Sequence, residues 1–175
     1  MFKTIAIVIG LLLAAMLALV GTQPDSFRVQ RETSIKAPPE KIFPLISDFH
    51  AWSSWSQWEK LDPGLKRTYS GAPSGKGAAY AWKGNNKVGA GRMEITGSSV
   101  PSKVTIKLDF LQPFEGHNVA DFTLEPKGNQ TTVTWVMRGP SSYVSKLMGV
   151  FVSMDSLIGK DFEAGLANMK AIAEK

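Results

Sequence analysis

Cysteine is absent from this sequence of 175 residues, and histidine occurs only twice. The absence of cysteine excludes disulfide bridges, thiolate zinc sites, cysteine nucleophiles and a lipid-modified cysteine. The two histidines, His50 and His117, are far apart, and no group of His, Asp and Glu residues has the spacing of a metal site. We therefore expect neither a metal nor another cofactor.

Several motifs of enzymes and of nucleic-acid-binding proteins are also missing. No Gly-x-Ser-x-Gly turn is present, and the glycine pairs within 75–77 and 89–91 lack the spacing of phosphate-binding loops. The net charge of +5 comes from Lys and Arg residues that are scattered singly, without the basic stripe of a nucleic-acid site. We predict no nucleic-acid partner and assign no catalytic residue.

A long apolar run lies near the start of the chain. Residues 5–20 carry no charge, and a run of about 16 residues falls between a signal-peptide core and a full membrane span. The small residues that signal peptidase requires are poorly placed, which favours an uncleaved anchor over a removed signal segment or a buried helix. We predict a single-pass membrane anchor at 1–22, a linker at 23–26 and an extracytoplasmic domain at 27–175, with Lys3 setting the orientation.

Most of the remaining chain has the alternation of apolar and polar residues that is typical of β-strands. The clearest case is 103–110, where Val104, Ile106, Leu108 and Phe110 share one face. The predicted strands cover 27–35, 65–70, 78–82, a segment from the turn at 84–86 to 95, 103–110, 118–124 and 131–138. Glycines within 89–91 indicate a bulge in the fourth of these strands.

Helical patterns occur near the start of this domain and at its end. Two short helices are predicted after Pro38, the second one capped by Ser47-Asp48 and leading into Trp52, and residues 141–152 form an amphipathic connector. The last segment, 153–174, has apolar residues at three- and four-residue steps, which predicts one long amphipathic helix.

Short motifs that occur in this order identify a resemblance to a known superfamily. They are Ile35–Phe43 (IKAPPEKIF), Trp52–Trp58 (WSSWSQW), Gly75–Ala78, Tyr80–Trp82, Gly89–Gly91 and Asp161–Leu166. Over residues 27–175 the chain resembles the START-like or SRPBCC superfamily, which includes polyketide cyclase/dehydrase-like proteins. The resemblance implies an α+β helix-grip fold, in which a curved seven-stranded antiparallel sheet wraps around the C-terminal helix and leaves a cavity.

Large apolar residues on the strand faces and on the last helix are the candidates for the wall of such a cavity. They are Tyr80, Trp82, Met93, Phe110, Phe122, Trp135, Met137 and Phe162. Ordinary core packing is the alternative for each of them. At the rim we place His117 and Asn118, which begin a strand, and Asp155, for which capping of the last helix is the alternative.

The function predicted from these features is binding of a small hydrophobic ligand or lipid at a membrane, without catalysis. Two alternatives remain open. One is a polyketide cyclase/dehydrase-like or hydrolase-like enzyme that uses polar cavity groups such as Tyr80 or His117. The other is an envelope or stress accessory protein that acts through an unknown protein partner. The resemblance alone does not favour one of them, because one fold supports many functions.

Overall fold

The computed structural model of the protein describes residues 2–175. The helices are α1 (Phe2–Gly21), α2 (Pro39–Ser47), α3 (Trp52–Trp55), α4 (Tyr143–Gly149) and α5 (Met154–Ala173), and single 3₁₀ turns at Phe49–Ala51 and Trp58–Lys60 flank α3. The strands are β1 (Ser26–Ile35), β2 (Lys66–Gly71), β3 (Ala78–Lys83), β4 (Ala90–Ser99), β5 (Lys103–Gln112), β6 (Gly116–Lys127) and β7 (Gln130–Pro140).

The seven strands form one antiparallel sheet in the order β1-β7-β6-β5-β4-β3-β2. Each pair of neighbouring strands is connected by a hairpin except β1 and β7. These two strands pair along their length, from Ser26 opposite Pro140 to Ile35 opposite Thr131. A register shift between Ala90 and Gly91 interrupts the pairing of β4 with β5, as the glycine pattern predicted. The α+β helix-grip fold with its seven-stranded antiparallel sheet and long C-terminal helix is confirmed.

Helix α5 packs against β1, α2 and α3. Its Phe162, Leu166 and Met169 are almost completely buried, as the helical period of the sequence predicted. The Ser153 hydroxyl caps its first turn by accepting a hydrogen bond from the Ser156 N–H at 3.1 Å. The inward residues of β5, β6 and β7 form the other half of the core.

Two hydrogen bonds fix the Trp-rich segment beside α5. The Trp52 indole donates to the Ile46 carbonyl at 3.0 Å, and the Trp55 indole donates to the Leu45 carbonyl at 2.8 Å. The Asn168 side chain donates to the Trp55 carbonyl at 3.0 Å and thereby joins α5 to α3. The α2–α3 segment is therefore anchored to one end of α5.

Residues of the predicted anchor form α1, which contacts α4. Val20 is buried, whereas Phe2, Ile7 and Leu11 are more than half exposed. Among the residues that the structure describes, no helix is long and apolar enough to span a membrane. The predicted transmembrane anchor is not supported by this finding.

Candidate ligand-binding site

A cavity of about 200 Å³ lies between the sheet and the first turns of α5. Its wall combines inward residues of five strands with residues of α3, α5 and the segment that follows α3. The lining residues are Trp52, Ser56, Trp58, Glu59, Leu65, Tyr80, Trp82, Val88, Met93, Leu108, Phe110, Ala120, Trp135, Met137, Ile158 and Phe162. Most of this surface is hydrocarbon, as in pockets for small apolar molecules.

Two rings of a three-ring aromatic stack, Trp135 and Phe162, line one part of the cavity. Trp135 lies between Phe162, whose ring centroid is 3.9 Å away, and Phe122, whose centroid is 4.8 Å away. Trp58 stands almost perpendicular to both Trp135 and Phe162. Stacked and edge-to-face contacts of this kind add to the stability gained by burial.

A second group of aromatic rings lies on β2, β3 and β5 and reaches the cavity wall through Tyr80, Trp82 and Phe110. Tyr80 stacks between Tyr69 and Trp82, with centroid distances of 5.2 and 6.0 Å. The Trp82 ring lies directly over Gly91, where an added Cβ would be 2.4 Å from two atoms of the indole. Gly91 therefore admits the Trp82 ring at a point where any larger residue would displace it.

The principal polar group of the cavity is a carboxylate, Glu59, whose side chain is 8% exposed. Its Oε1 accepts a hydrogen bond from the Tyr80 hydroxyl at 2.6 Å, and its Oε2 accepts one from Arg67 Nε at 2.7 Å. Burial, and then the bond to Glu59, raise the pKa of Tyr80 far above its ordinary value. Tyr80 therefore remains a neutral donor, and the Arg67 guanidinium balances the Glu59 charge.

The tryptophan at the centre of the aromatic stack has an unpaired polar atom. Among the side chains that the structure describes, Trp135 Nε1 is the one fully buried nitrogen or oxygen that has no hydrogen-bond partner. In contrast, the Trp82 indole donates to the Val88 carbonyl at 3.0 Å. Because buried donors in folded proteins are nearly always paired, this exception requires an explanation.

An outer groove adjoins the cavity and shares Phe110, Met137 and Ile158 with it. His117 and Asn118, two of the predicted rim residues, line this groove. His117 Nδ1 is 2.7 Å from Asp109 Oδ1, and this hydrogen bond raises the pKa of His117 above its ordinary value of 6.5.

The structure brings most of the predicted cavity residues together. Seven of the eight predicted residues lie in the cavity wall: Tyr80, Trp82, Met93, Phe110, Trp135, Met137 and Phe162. Their contact with a ligand stays a prediction. Phe122 does not line the cavity, because the Trp135 ring covers it. Asp155 is not part of the outer groove either; it pairs with Arg31 of β1 at 2.7 Å.

Sequence reasoning missed the polar group of the site. Glu59 directly follows the third tryptophan of the Trp-rich segment, yet its partners lie 8 and 21 residues away in the chain. The pairing of β2 with β3 places Arg67 opposite Trp82 and Tyr69 opposite Tyr80, so that Arg67 and Tyr80 lie on the same face of the two strands. Among the described residues there is no group of three or more His, Asp or Glu side chains that could hold a metal ion.

Comparison with known proteins assigns the chain to a family. A family model described as polyketide cyclase / dehydrase and lipid transport matches residues 26–174. The chain belongs to this family. The match begins with β1 and ends one residue after α5, so it includes every lining residue of the cavity. A search of curated proteins gives no match.

Several solved structures share the fold of this polyketide cyclase/dehydrase family protein, but their sequences are distant from it. The Aha1 dimer from Colwellia psychrerythraea is 16% identical with a TM-score of 0.61, covering 85% of this chain and 96% of that one. The di-domain ARO/CYC BexL from the BE-7585A biosynthetic pathway is 14% identical with a TM-score of 0.63, covering 91% and 53%. Ginseng major latex-like protein 151 from Panax ginseng is 14% identical with a TM-score of 0.59, covering 85% and 97%. At these identities the likeness shows the fold alone.

Proposed function

We propose that the protein binds a small, largely apolar ligand in the cavity between the sheet and α5. The observation that carries this proposal is the cavity itself, about 200 Å³ of space lined by aromatic and aliphatic side chains. Protein interiors are normally filled to crystal-like density, so an apolar space of this size inside the core favours a binding role. Membership of a family described by cyclase, dehydrase and lipid-transport activities is consistent with it.

The size of the cavity limits what it can hold without rearrangement. An engineered apolar cavity of about 150 Å³ holds one benzene molecule. The cavity of this protein therefore accommodates a molecule with one ring or a short chain. A longer ligand would extend past Phe110, Met137 and Ile158 into the outer groove.

The test uses 4-fluorotoluene as a one-ring probe and follows its ¹⁹F signal during titration with the full chain. We expect saturable binding that Trp82→Ala weakens, because the Trp82 ring forms part of the wall. Lys107→Ala is the control, since Lys107 is exposed on the opposite face of β5. Equal effects of the two substitutions, or no saturable binding, would reject the proposal. If binding is saturable and weakened by Trp82→Ala, mass spectrometry of molecules that co-purify with the protein would identify the natural ligand.

A cyclase-type enzyme is the second candidate, and the Glu59–Tyr80 pair favours it. A buried carboxylate that also faces an apolar cavity can remove a proton from a carbon next to a ligand carbonyl. The protonated carboxyl group would exchange this proton with solvent water and then return a proton to the enolate carbon, so that no other reactant is needed. Exchange of the acetophenone methyl protons in D₂O tests this role. An enzyme would accelerate the exchange and Glu59→Gln would abolish it, whereas a binding protein would not affect the rate.

We further propose that α1 associates with a membrane. Its Phe2, Ile7, Leu11 and Leu17 side chains are at least 60% exposed, a large apolar surface on one helix. Fractionation of cells that express the full chain tests this proposal. The protein should appear with membranes and a variant without residues 1–22 should be soluble; a soluble full chain would refute the association.

A further inference from the structure

One polar side chain interrupts the apolar inner face of β6 at the edge of the cavity. Asn118 lies opposite Leu108 of β5 and two positions before Ala120, and both of these neighbours line the cavity. Residues two positions apart in a strand share one face and are about 7 Å apart. Asn118 itself lines the outer groove. Its side chain therefore lies where the groove meets the cavity.

A glycine on the neighbouring strand makes room for this side chain. An added Cβ at Gly139 of β7 would overlap Asn118 Oδ1 and lie 2.9 Å from its Cγ. Any larger residue at position 139 would therefore displace the carboxamide. An added Cβ at Gly116 would be 3.8 Å from Asn118 Nδ2, which is an ordinary contact distance. The fold thus accommodates the carboxamide closely at this point of the inner face.

The Asn118 carboxamide has no hydrogen-bond partner among the residues that the structure describes, although Asn118 is only 8% exposed. In contrast, the Asn168 side chain donates to the Trp55 carbonyl. Among the described side chains, Trp135 Nε1 alone is both unpaired and fully enclosed, so the unpaired Asn118 amide keeps some accessible surface. Because Asn118 lines the outer groove, a ligand there can reach the amide, whereas no ligand reaches the enclosed Trp135 Nε1.

The charges around the outer groove favour a neutral ligand group. None of its lining residues, all within the described part of the chain, is Lys or Arg. His117 Nδ1 is 2.7 Å from Asp109 Oδ1, and its Nε2 is 3.4 Å from Glu115 Oε1. An anionic group beside these carboxylates would lose its hydration without gaining an unpaired cation. A carboxamide suits a neutral group because it both donates and accepts hydrogen bonds.

We propose that Asn118 forms a second subsite, in which its carboxamide hydrogen-bonds to a neutral hydroxyl or amide of a ligand whose apolar part fills the cavity. This proposal rests on the proposed function, because it requires that the cavity binds an apolar group. It adds the position and chemistry of the polar contact. The ligand is then an amphipathic molecule that extends from the cavity into the outer groove, and Asn118 selects its polar end.

The experiment compares two probes, titrated against the full chain. Butylbenzene places a ring in the cavity, and 4-phenyl-1-butanol adds a hydroxyl at the end of the same chain. The quantity measured is the preference for the alcohol, the dissociation constant of butylbenzene divided by that of 4-phenyl-1-butanol. We expect Asn118→Leu to reduce this preference roughly three- to tenfold, the usual contribution of one hydrogen bond. The variant should fold, because leucine has a similar shape and replaces an amide that has no partner in the protein.

Asn129→Leu is the matched control, the same substitution at an exposed position in the turn after β6. It should leave the preference unchanged. Gly139→Ala provides a second variant, which keeps Asn118 but displaces its carboxamide, and it should reduce the preference as well. In the unmodified protein, the side-chain NH₂ resonances of Asn118 should shift with 4-phenyl-1-butanol and not with butylbenzene.

The outcomes separate this inference from the proposed function. If both probes bind, but the preference is the same in the full chain and in Asn118→Leu, the amide contacts water only. That result would overturn the second subsite and leave the proposed function intact. If neither probe binds, both proposals are overturned together.

Discussion

The space between the sheet and α5 is filled at one end and open at the other. At the packed end, which we define by α5 residues 165–173, Leu166, Met169 and Ala173 are at most 2% exposed. At the cavity end, defined by α5 residues 154–162, Ile158 and Phe162 face the cavity. Both ends draw on the same strands and on similar apolar side chains, so composition does not explain the difference.

The difference comes from the segment between β1 and β2. Helices α2 and α3 both contact α5, and α2 also contacts β6, so they add a layer of side chains such as Ile42, Ile46 and Trp55 at the packed end. After α3 the chain continues through Trp58 and Glu59, which line the cavity without filling it. A binding site can therefore arise in a helix-grip fold where the covering layer ends, even though its wall consists of large residues.

The strongest test of this comparison replaces one phenylalanine that is fully packed and one that lines the cavity. Phe122 is completely buried behind the cavity wall, between Trp135, Trp52 and Trp55. We expect Phe122→Ala to lower the free energy of unfolding by about 3 to 5 kcal/mol, as measured by urea denaturation. Phe110→Ala, at the partly exposed cavity end, should cost less than about 2 kcal/mol because its ring has fewer neighbours to lose. Equal losses would show that the two sites are packed alike.

A smaller effect is expected when the cavity wall is displaced. Gly91→Ala would place a Cβ 2.4 Å from the Trp82 ring and 2.6 Å from the Asp109 carbonyl oxygen. Overpacking of this kind costs roughly 1 to 3 kcal/mol, and the displaced ring should weaken binding of 4-fluorotoluene.

Gly165→Ala, next to the Trp135 and Trp55 rings, is the matched substitution at the packed end. Its Cβ contacts of 3.3 and 3.4 Å are tight, but alanine stabilises the helix by about 1 kcal/mol relative to glycine. We expect its net change in stability to be the smaller of the two. If Gly165→Ala lost more stability than Gly91→Ala, the packed end would tolerate an added methyl group less well than the cavity wall does.

The smallest predicted effect concerns the outer groove at the cavity end. The hydrogen bond with Asp109 raises the pKa of His117, so the folded state binds this proton more tightly than the unfolded state does. Its contribution to stability is therefore complete below pH 6.5 and is lost as the pH rises through the raised pKa of the folded state. An NMR titration of the imidazole should show this shift, and Asp109→Asn should remove most of it. An unchanged titration in the variant would assign the shift to other groups.

Local sequence signals predicted the elements of the fold well. Local patterns, mostly alternation, predicted all seven strands, the glycines at 89–91 marked the irregularity in β4, and the apolar period predicted α5 over its length. These signals record which face of a strand or helix each residue occupies. The face follows from the spacing of residues that are close together in the chain. The order of strands in the sheet came only from the superfamily resemblance.

The same signals were less informative about the site. Alternation correctly placed Phe122 and Trp135 on the inner face, but it could not show that Trp135 covers Phe122 and separates it from the cavity. Likewise, the helical position of Asp155 did not indicate its pairing with Arg31 across the gap to β1. Which side chain of one element meets which side chain of another depends on contacts between distant parts of the chain.

The sequence by itself determined the strands, the helices, the apolar faces and the absence of cysteine chemistry, because each of these depends on residue type and short-range period. Tertiary structure alone decided that the aromatic side chains leave a cavity, that Glu59 bonds to Tyr80 and Arg67, and that the Trp135 N–H lacks a partner. The physical reason is that empty space and unpaired hydrogen bonds are properties of how elements pack together. Residues far apart in the chain create them, and no local pattern records them.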